Sequence, residues 1–316
     1  MSTNIADHRV RLGRTGLEVS PICYGSWQLS PRFWGDIPED EAAAAMKRAF
    51  DLGINFFDTA DAYGDGLSET VMGKALADFP RSEVILATKV YWHWYEDGGR
   101  HPDLSKKHIL EGCDASLSRL GMDYIDLYQL HAWDAIAPMS DIIDALESLI
   151  KSGKIRHYGV SNWNPEQMRL GHTLGGNFAT CQPPYSLINR GIEADVLPYC
   201  QANDMGTLVY SPLHKGLLSG KYKGGESFDD LRKNSADFTG DRFKKVCEAV
   251  QSLAPIAKKY DMTILHLVLA VTLAHPGITC AIVGVKRPDQ IEGAVGAIGK
   301  TIEVRDAHEV RTILSV

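Results

Sequence analysis

Short apolar runs alternate along the chain with longer stretches in which apolar residues recur every three or four positions. The runs are "ICYG" (22–25), "INFF" (54–57), "VILAT" (84–88), "YIDLYQL" (124–130), "HYGV" (157–160), "FATC" (178–181), "TLVY" (207–210) and "CAIV" (280–283). Their length and their β-branched and aromatic content predict buried strands. Helical spacing fills the gaps. Residues 39–52 form one helix, stopped by Gly53. Ser105 caps another whose stripe is Ile109, Cys113, Leu117 and Leu120, closed by Gly121. Ser140 caps a third with Ile142, Leu146, Leu149 and Ile150, closed by Gly153. Asn164, Pro165 and Gln167 supply a cap, a first-turn proline and a capping-box partner. Residues 258–270 read as an ordinary core helix, and Pro288 opens one that stops about Gly299.

Each strand-helix-strand crossover returns the chain in the same direction, so eight such strands run parallel. The class is therefore α/β, and a (β/α)8 barrel of ~250 residues plus insertions suits a chain of 316. A doubly wound open sheet would carry a Gly-x-Gly-x-x-Gly turn after its first strand, and none follows any strand here. Ahead of the first strand, "VRLG" and "LEVS" flank "RTG", predicting an N-terminal β-hairpin. Residues 213–241, after strand seven, are rich in Gly, Asp, Ser and Lys and read as a long loop, either a lid or a disordered segment. No linker interrupts the alternation, so residues 1–316 are expected to form a single domain.

The barrel gives meaning to four polar residues. Asp58 closes the second strand run, Lys89 follows the third, and His131 closes the fourth. Tyr63 lies five residues past Asp58, in the turn "DTADAYG". Parallel strands put their C-terminal ends on one face, where barrel active sites lie. A phenol is a poor acid near neutrality, and a neighbouring ammonium lowers its pKa. Lys89 is placed to do this, with Asp58 as its counter-ion and His131 orienting a carbonyl oxygen through a ring N–H. The set reads as a tuned proton donor for an oxygen that gains charge.

Composition narrows the setting. A net charge of −7 argues against nucleic acid as a partner. Apolar content of 44% and charged content of 23% suit a soluble enzyme with a substantial core. The six cysteines, Cys23, Cys113, Cys181, Cys200, Cys247 and Cys280, have no Cys-x-x-Cys spacing and read as reduced thiols. No secretory h-region and no membrane-length apolar stretch is visible, so a cytoplasmic location is expected. His93 and His101, with Glu96 and Asp97 nearby, lie in a segment that could hold a metal but whose loose spacing favours a solvated loop, and no metal is expected. Oligomeric state is not legible.

The chain resembles the aldo-keto reductases, in the bacterial and potassium-channel-subunit-like branch. The matching stretches are "RLGRTGLEVSPICYGSW", "GINFFDTADAYGDGLSE", "VILATKV", "SLSRLGMDYIDLYQLH", "GKIRHYGVSNW", "QPPYSLINR", "YSPLHKGLLSGKY" and "IVGVKRPDQIEGA". The resemblance implies a nicotinamide cofactor, with Tyr63 as proton donor, Lys89 and Asp58 as its tuners, and His131 positioning the carbonyl. It further implies that Ser161, Asn162 and Gln182 hold the carboxamide and that Tyr210 stacks on the nicotinamide ring. Ser211, Leu213, Gly216 and Ser219 would follow the pyrophosphate, with Lys221 near a phosphate. Gly284, Lys286 and Gln290 would reach the adenosine end. Gly293 and Ala294 stand where the family often has Glu-Asn against adenine. Lys286 and Arg287 offer positive charge for a 2′-phosphate, favouring NADP(H) while admitting NAD(H).

All six tryptophans follow strands one, three, four and five, and none is in a predicted helix interior. Trp27, Trp34 and Trp92 are the expected substrate contacts, with Trp133 and Trp163 equally suited to packing or to ligand contact. The substrate is expected to be a bulky apolar or aromatic carbonyl compound or the matching alcohol. Two other functions fit the same sequence: a cofactor-binding regulatory subunit with little turnover, and a Schiff-base aldolase with Lys89 as nucleophile.

Overall fold

The computed structural model describes residues 5–94 and 99–316. Eight parallel strands close into a barrel: β1 (Ile22–Gly25), β2 (Phe56–Asp58), β3 (Ile85–Val90), β4 (Ile125–Leu130), β5 (Ile155–Ser161), β6 (Thr180–Gln182), β7 (Gly206–Tyr210) and β8 (Cys280–Gly284). Each pairs with its neighbour in sequence, and β8 returns to β1 with Gly284 opposite Gly25. The expected (β/α)8 architecture is thus present. Several strands shift against their sequence reading, the second from 54–57 to Phe56–Asp58 and the third from 84–88 to Ile85–Val90. The fifth lengthens to Ile155–Ser161, and the sixth moves to Thr180–Gln182, which brings Gln182 into register with Ser161.

The period-two alternation of each strand sorts its residues between two cores. Leu12, Val19, Cys23, Phe56, Ile85, Ala87, Leu127, Leu208, Cys280 and Ile282 fill the barrel interior. Ile22, Tyr24, Phe57, Leu86, Val160 and Cys181 face the surrounding helices. The N-terminal hairpin, Val10–Arg11 against Glu18–Val19, closes the barrel's lower end with Leu12 and Val19. Gly13 is required there: its φ is +50°, and a Cβ would lie 2.2 Å from the Gly206 nitrogen.

The helices follow their end signals with three exceptions. Ser105 caps Lys106–Leu120 by accepting from the His108 N–H, and Gly121 ends it at φ 63°. Asn164 and Gln167 form the full capping box of Pro165–Thr173. Ser140, however, lies inside its helix, which starts at Met139 after Pro138. The stretch 258–270 divides into Ala254–Lys259 and Ile264–Leu273, because Asp261 adopts φ 51° and Thr263 caps a new helix through the His266 N–H. The Pro288 helix ends at Val295, short of Gly299.

Two loops depart from expectation. Residues 213–241 pack as short 3-10 turns around an aromatic cluster of Tyr222, Phe228, Phe238 and Phe243, so the segment is folded and not an open lid. After β3 a second antiparallel hairpin, Trp92–Trp94 with Arg100–Pro102, rises where sequence indicated a plain loop. All six cysteines are buried and free. Among the described residues, no helix is long and apolar enough to cross a membrane.

Candidate active site

The alternation that buries Phe56, Ala87, Leu127 and Leu208 in the barrel also turns Asp58, Lys89, Gln129 and Tyr210 inward, because each lies two residues further along its strand. These side chains form the top layer of the barrel interior, at the strands' C-terminal ends.

Lys89 lies at the centre of this layer, fully buried. Its ammonium donates to Asp58 Oδ1 at 2.6 Å, to the Thr59 carbonyl at 2.7 Å and to the Tyr63 hydroxyl at 3.4 Å. Asp58 Oδ2 accepts from Gln182 Nε2 at 2.8 Å and Gln129 Nε2 at 3.5 Å. The Tyr63 and His131 rings meet edge-on, 5.7 Å apart. The four sequence-predicted residues therefore converge.

Burial pulls the Lys89 pKa down, but Asp58 and the Tyr63 hydroxyl outweigh it, and the group stays above its ordinary value. A lysine held as an ammonium with such partners is unsuited to attack a carbonyl, which disfavours Schiff-base chemistry here. Tyr63 corrects one expectation. Burial raises its pKa more than Lys89 lowers it, so the phenol lies above its usual value and keeps its proton. His131 is pushed down to about 3 by burial, Lys89 and Arg100, so it is a neutral imidazole at physiological pH. Its Nδ1 is buried without a partner among the described residues.

A cavity of about 780 Å³ opens above this layer. Asp58, Tyr63 and His131 line it, while Lys89 lies beneath the wall. Every residue expected to bind cofactor also lines it: Ser161, Asn162, Gln182, Tyr210, Ser211, Leu213, Gly216, Ser219, Lys221, Gly284, Lys286 and Gln290. Asn162 has φ 60°; its amide donates to the His131 carbonyl at 3.0 Å and accepts from Tyr210 at 2.9 Å. Ser161 donates to the Gln182 carbonyl at 2.8 Å. Asn162 and Gln182 thus also brace this polar layer.

The loop after β7 carries an unusual backbone. Ser211, His214, Lys215 and Gly216 have φ of 59°, 47°, 55° and 90°. Each non-glycine member costs of order 1–3 kcal/mol, and such strain collects at ligand sites. His214 fixes the turn through Asp237 at 3.0 Å and Ser186 at 3.2 Å. Left-handed turns of this kind form concave anion sites from their N–H groups. Lys221, Arg232, Lys286 and Arg287 line the same end of the cavity. Burial lowers the pKa of Lys221, and Arg232 and Arg287 lower it further; burial also lowers Lys286, which Arg232 and Lys221 reinforce. Mutually repelling, partly desolvated cations fit a polyphosphate. Ala294 is buried and Gly293 lines the cavity, so the usual Glu-Asn contact to adenine has no counterpart.

Trp27, Trp34 and Trp92 line the cavity, with Trp27 and Trp34 in edge contact at 5.4 Å. Trp34 ends a short helix, Pro31–Trp34, that sequence did not indicate. Trp133 and Trp163 pack on each other at 4.8 Å. Arg100 and Arg232 are lining residues that sequence reasoning missed. Arg100 comes from the second hairpin, and no local sequence signal marks its direction. Arg232 was hidden in a segment read as a lid or a disordered loop. His93 gathers with Asp103 and His108, their ligand-capable atoms all within 4.8 Å of one another, and the two Nδ1 atoms are 3.1 Å apart. The expected neighbours Glu96 and Asp97 lie outside the described residues.

Known proteins match this architecture closely. The aldo/keto reductase family model covers residues 21–314. The aldo-keto reductase YhdN of Bacillus subtilis is 38% identical over 99% of this chain and 93% of its own length. A putative voltage-gated potassium channel subunit beta of Schizosaccharomyces pombe is 35% identical over 91% of this chain and 87% of its own. Among solved structures, the glycerol dehydrogenase of Gluconobacter oxydans superposes with a TM-score of 0.90 at 32% identity, covering 98% of this chain and 96% of that one.

Proposed function

Because the chain belongs to the aldo/keto reductase family, we propose that it is an NADP(H)-dependent oxidoreductase that reduces aldehydes or ketones to alcohols and runs the reverse reaction. The observation that carries this reading is the buried clamp of Lys89 between Asp58 and the Tyr63 hydroxyl, at the floor of a cavity of about 780 Å³. When bound, the nicotinamide supplies the hydride.

The chain's residues do the rest. Tyr63 holds its proton until a carbonyl oxygen above it gains charge, then donates it. The positive charge of Lys89 stabilises the phenolate left behind, and Asp58 keeps that ammonium in place. A neutral His131 offers a hydrogen bond to the same oxygen without competing for the proton. Tyr210 and Asn162 form the wall for the nicotinamide ring and its carboxamide. The β7 loop and Lys221, Arg232 and Lys286 receive the phosphates, and the clustered positive charge near Lys286 and Arg287 favours the 2′-phosphate of NADP(H). Trp27 and Trp92 suit an apolar or aromatic substrate body, while Trp34, beside Lys286 and Arg232, belongs with the phosphate end. We read residues 1–316 as one domain built around this site. Free, buried cysteines suit the reducing cytoplasm.

The similarity to channel beta subunits keeps a second reading in view, a cofactor-binding subunit with little turnover. A panel of aldehydes, ketones and alcohols, assayed in both directions with NADPH/NADP⁺ and NADH/NAD⁺, separates the two. Turnover with a lower KM for the phosphorylated cofactor supports the proposal. Tight cofactor binding with no turnover of any substrate favours the second reading.

A further inference from the structure

Assigning the phosphates to the cations of the β7 and β8 loops leaves one cation among the described cavity residues without a role. Arg100 lies on the hairpin after β3, in register with Trp94, and its guanidinium stands 4.8 Å from the centroid of the Trp92 ring. It lines the same cavity as Tyr63 and His131 and is half-buried. The acids that share the described cavity wall are already engaged, Asp58 by Lys89 and Asp289 by Arg287. Contact with the Trp92 ring uses none of the guanidinium N–H donors, so the fork remains available.

Arg100 is also at the reacting end of the cavity. Its charge reaches His131, where, after burial and Lys89, it helps hold the imidazole neutral. The phosphate cluster gathers instead around Trp34, whose ring lies 5.0 Å from the Lys286 ammonium and 5.7 Å from the Arg232 guanidinium. A planar fork beside an aromatic wall matches a carboxylate on an aromatic or short apolar body, through paired charge-assisted hydrogen bonds.

We propose that Arg100 is the anion-recognition residue of the substrate subsite, and that the preferred substrate carries a carboxylate in addition to its carbonyl. This rests on the carbonyl-reductase reading and narrows its substrate class.

The test compares 4-carboxybenzaldehyde and 3-carboxybenzaldehyde with their methyl esters. Acid and ester share the aromatic body and an electron-withdrawing substituent but differ in charge. Wild type should favour an acid over its ester in kcat/KM by on the order of tenfold to a hundredfold, mostly through KM, the range set by a hydrogen bond to a charged group. Arg100→Gln should bring that ratio close to one, and Arg100→Lys should keep part of it. Any general effect on His131 or on folding acts on both substrates and cancels in the ratio. An Arg100 that merely braces the hairpin would leave the ratio unmoved, and so would overturn the inference. Ester turnover without preference for either acid in wild type would overturn it too, while leaving the reductase reading standing. No turnover of any of the four aldehydes would overturn the reductase reading, and this inference with it.

Discussion

Replacing Lys89 by Met removes the ammonium while keeping most of the stem's volume. Asp58, 3% exposed, would lose its 2.6 Å partner on Oδ1 and keep only the Gln182 and Gln129 amides on Oδ2. Stripping one member of a buried ion pair costs roughly 3–5 kcal/mol. Solvent screening gives no discount, since the lysine side chain is 0% and the aspartate 4% exposed. An unfolding entropy of about 2.1 cal/mol/K per residue over 316 residues gives roughly 0.7 kcal/mol/K, so Tm should fall by roughly 5–8 °C. The pH dependence has a definite sign. Folding raises the Lys89 pKa, so its contribution is complete below the ordinary lysine value and fades as pH climbs through and above it. The Tm gap between wild type and Lys89→Met should therefore hold across neutral pH and begin to narrow above about 10.4. Adding Asp58→Leu should recover part of the loss, because the uncompensated charge is removed. Scanning calorimetry of the three proteins measures this. A fall below about 1 °C for Lys89→Met, or no recovery in the double variant, would refute the buried-pair argument.

Three further outcomes follow from the site. His131 sits near a pKa of about 3, so its imidazole NMR signals should not titrate between pH 8 and 5, and a midpoint near the ordinary 6.5 would contradict its assigned role. Because that pKa is depressed, the unfolded chain takes up the proton first, and this residue lowers stability as pH falls from about 6.5 towards 3. Lys286→Gln should weaken NADPH binding by roughly 1.5–3 kcal/mol and NADH binding by much less, as read by fluorescence titration; equal losses would remove Lys286 from the 2′-phosphate. Gly216→Ala, at φ 90° and with Lys221 Nζ 3.3 Å from the new Cβ, should destabilise by about 1–2 kcal/mol and raise the Kd for NADPH; an unchanged Kd would separate the β7 turn from the phosphates.

The barrel and the convergence of Asp58, Tyr63, Lys89 and His131 at its mouth were legible in the chain because both rest on local signals. Alternation within runs such as 84–88 fixes which face Lys89 takes once the strand is recognised, and caps such as Ser105 and Asn164 act through neighbours three residues away. What sequence did not show depends on distant parts of the chain. The left-handed backbone at Ser211, His214 and Lys215 has no glycine to announce it and is held by Ser186 and Asp237. Arg100 becomes a cavity residue only because an irregular, tryptophan-rich segment pairs as a hairpin. The shift of Tyr63 was misjudged for a related reason: proximity to Lys89 could be inferred, but the depth of burial that outweighs it could not. Likewise, Asp261 and Thr263 break a segment whose apolar periodicity alone reads as continuous helix.

The Tyr63 hydroxyl, 3.4 Å from the Lys89 ammonium, is the proposed proton donor in carbonyl reduction. Its most direct test is aldehyde reduction by Tyr63→Phe under saturating NADPH, paired with a fluorescence titration of NADPH. A proton donor at Tyr63 requires a fall in kcat of about 10²–10⁴-fold with cofactor affinity nearly unchanged. Turnover close to that of wild type would contradict it.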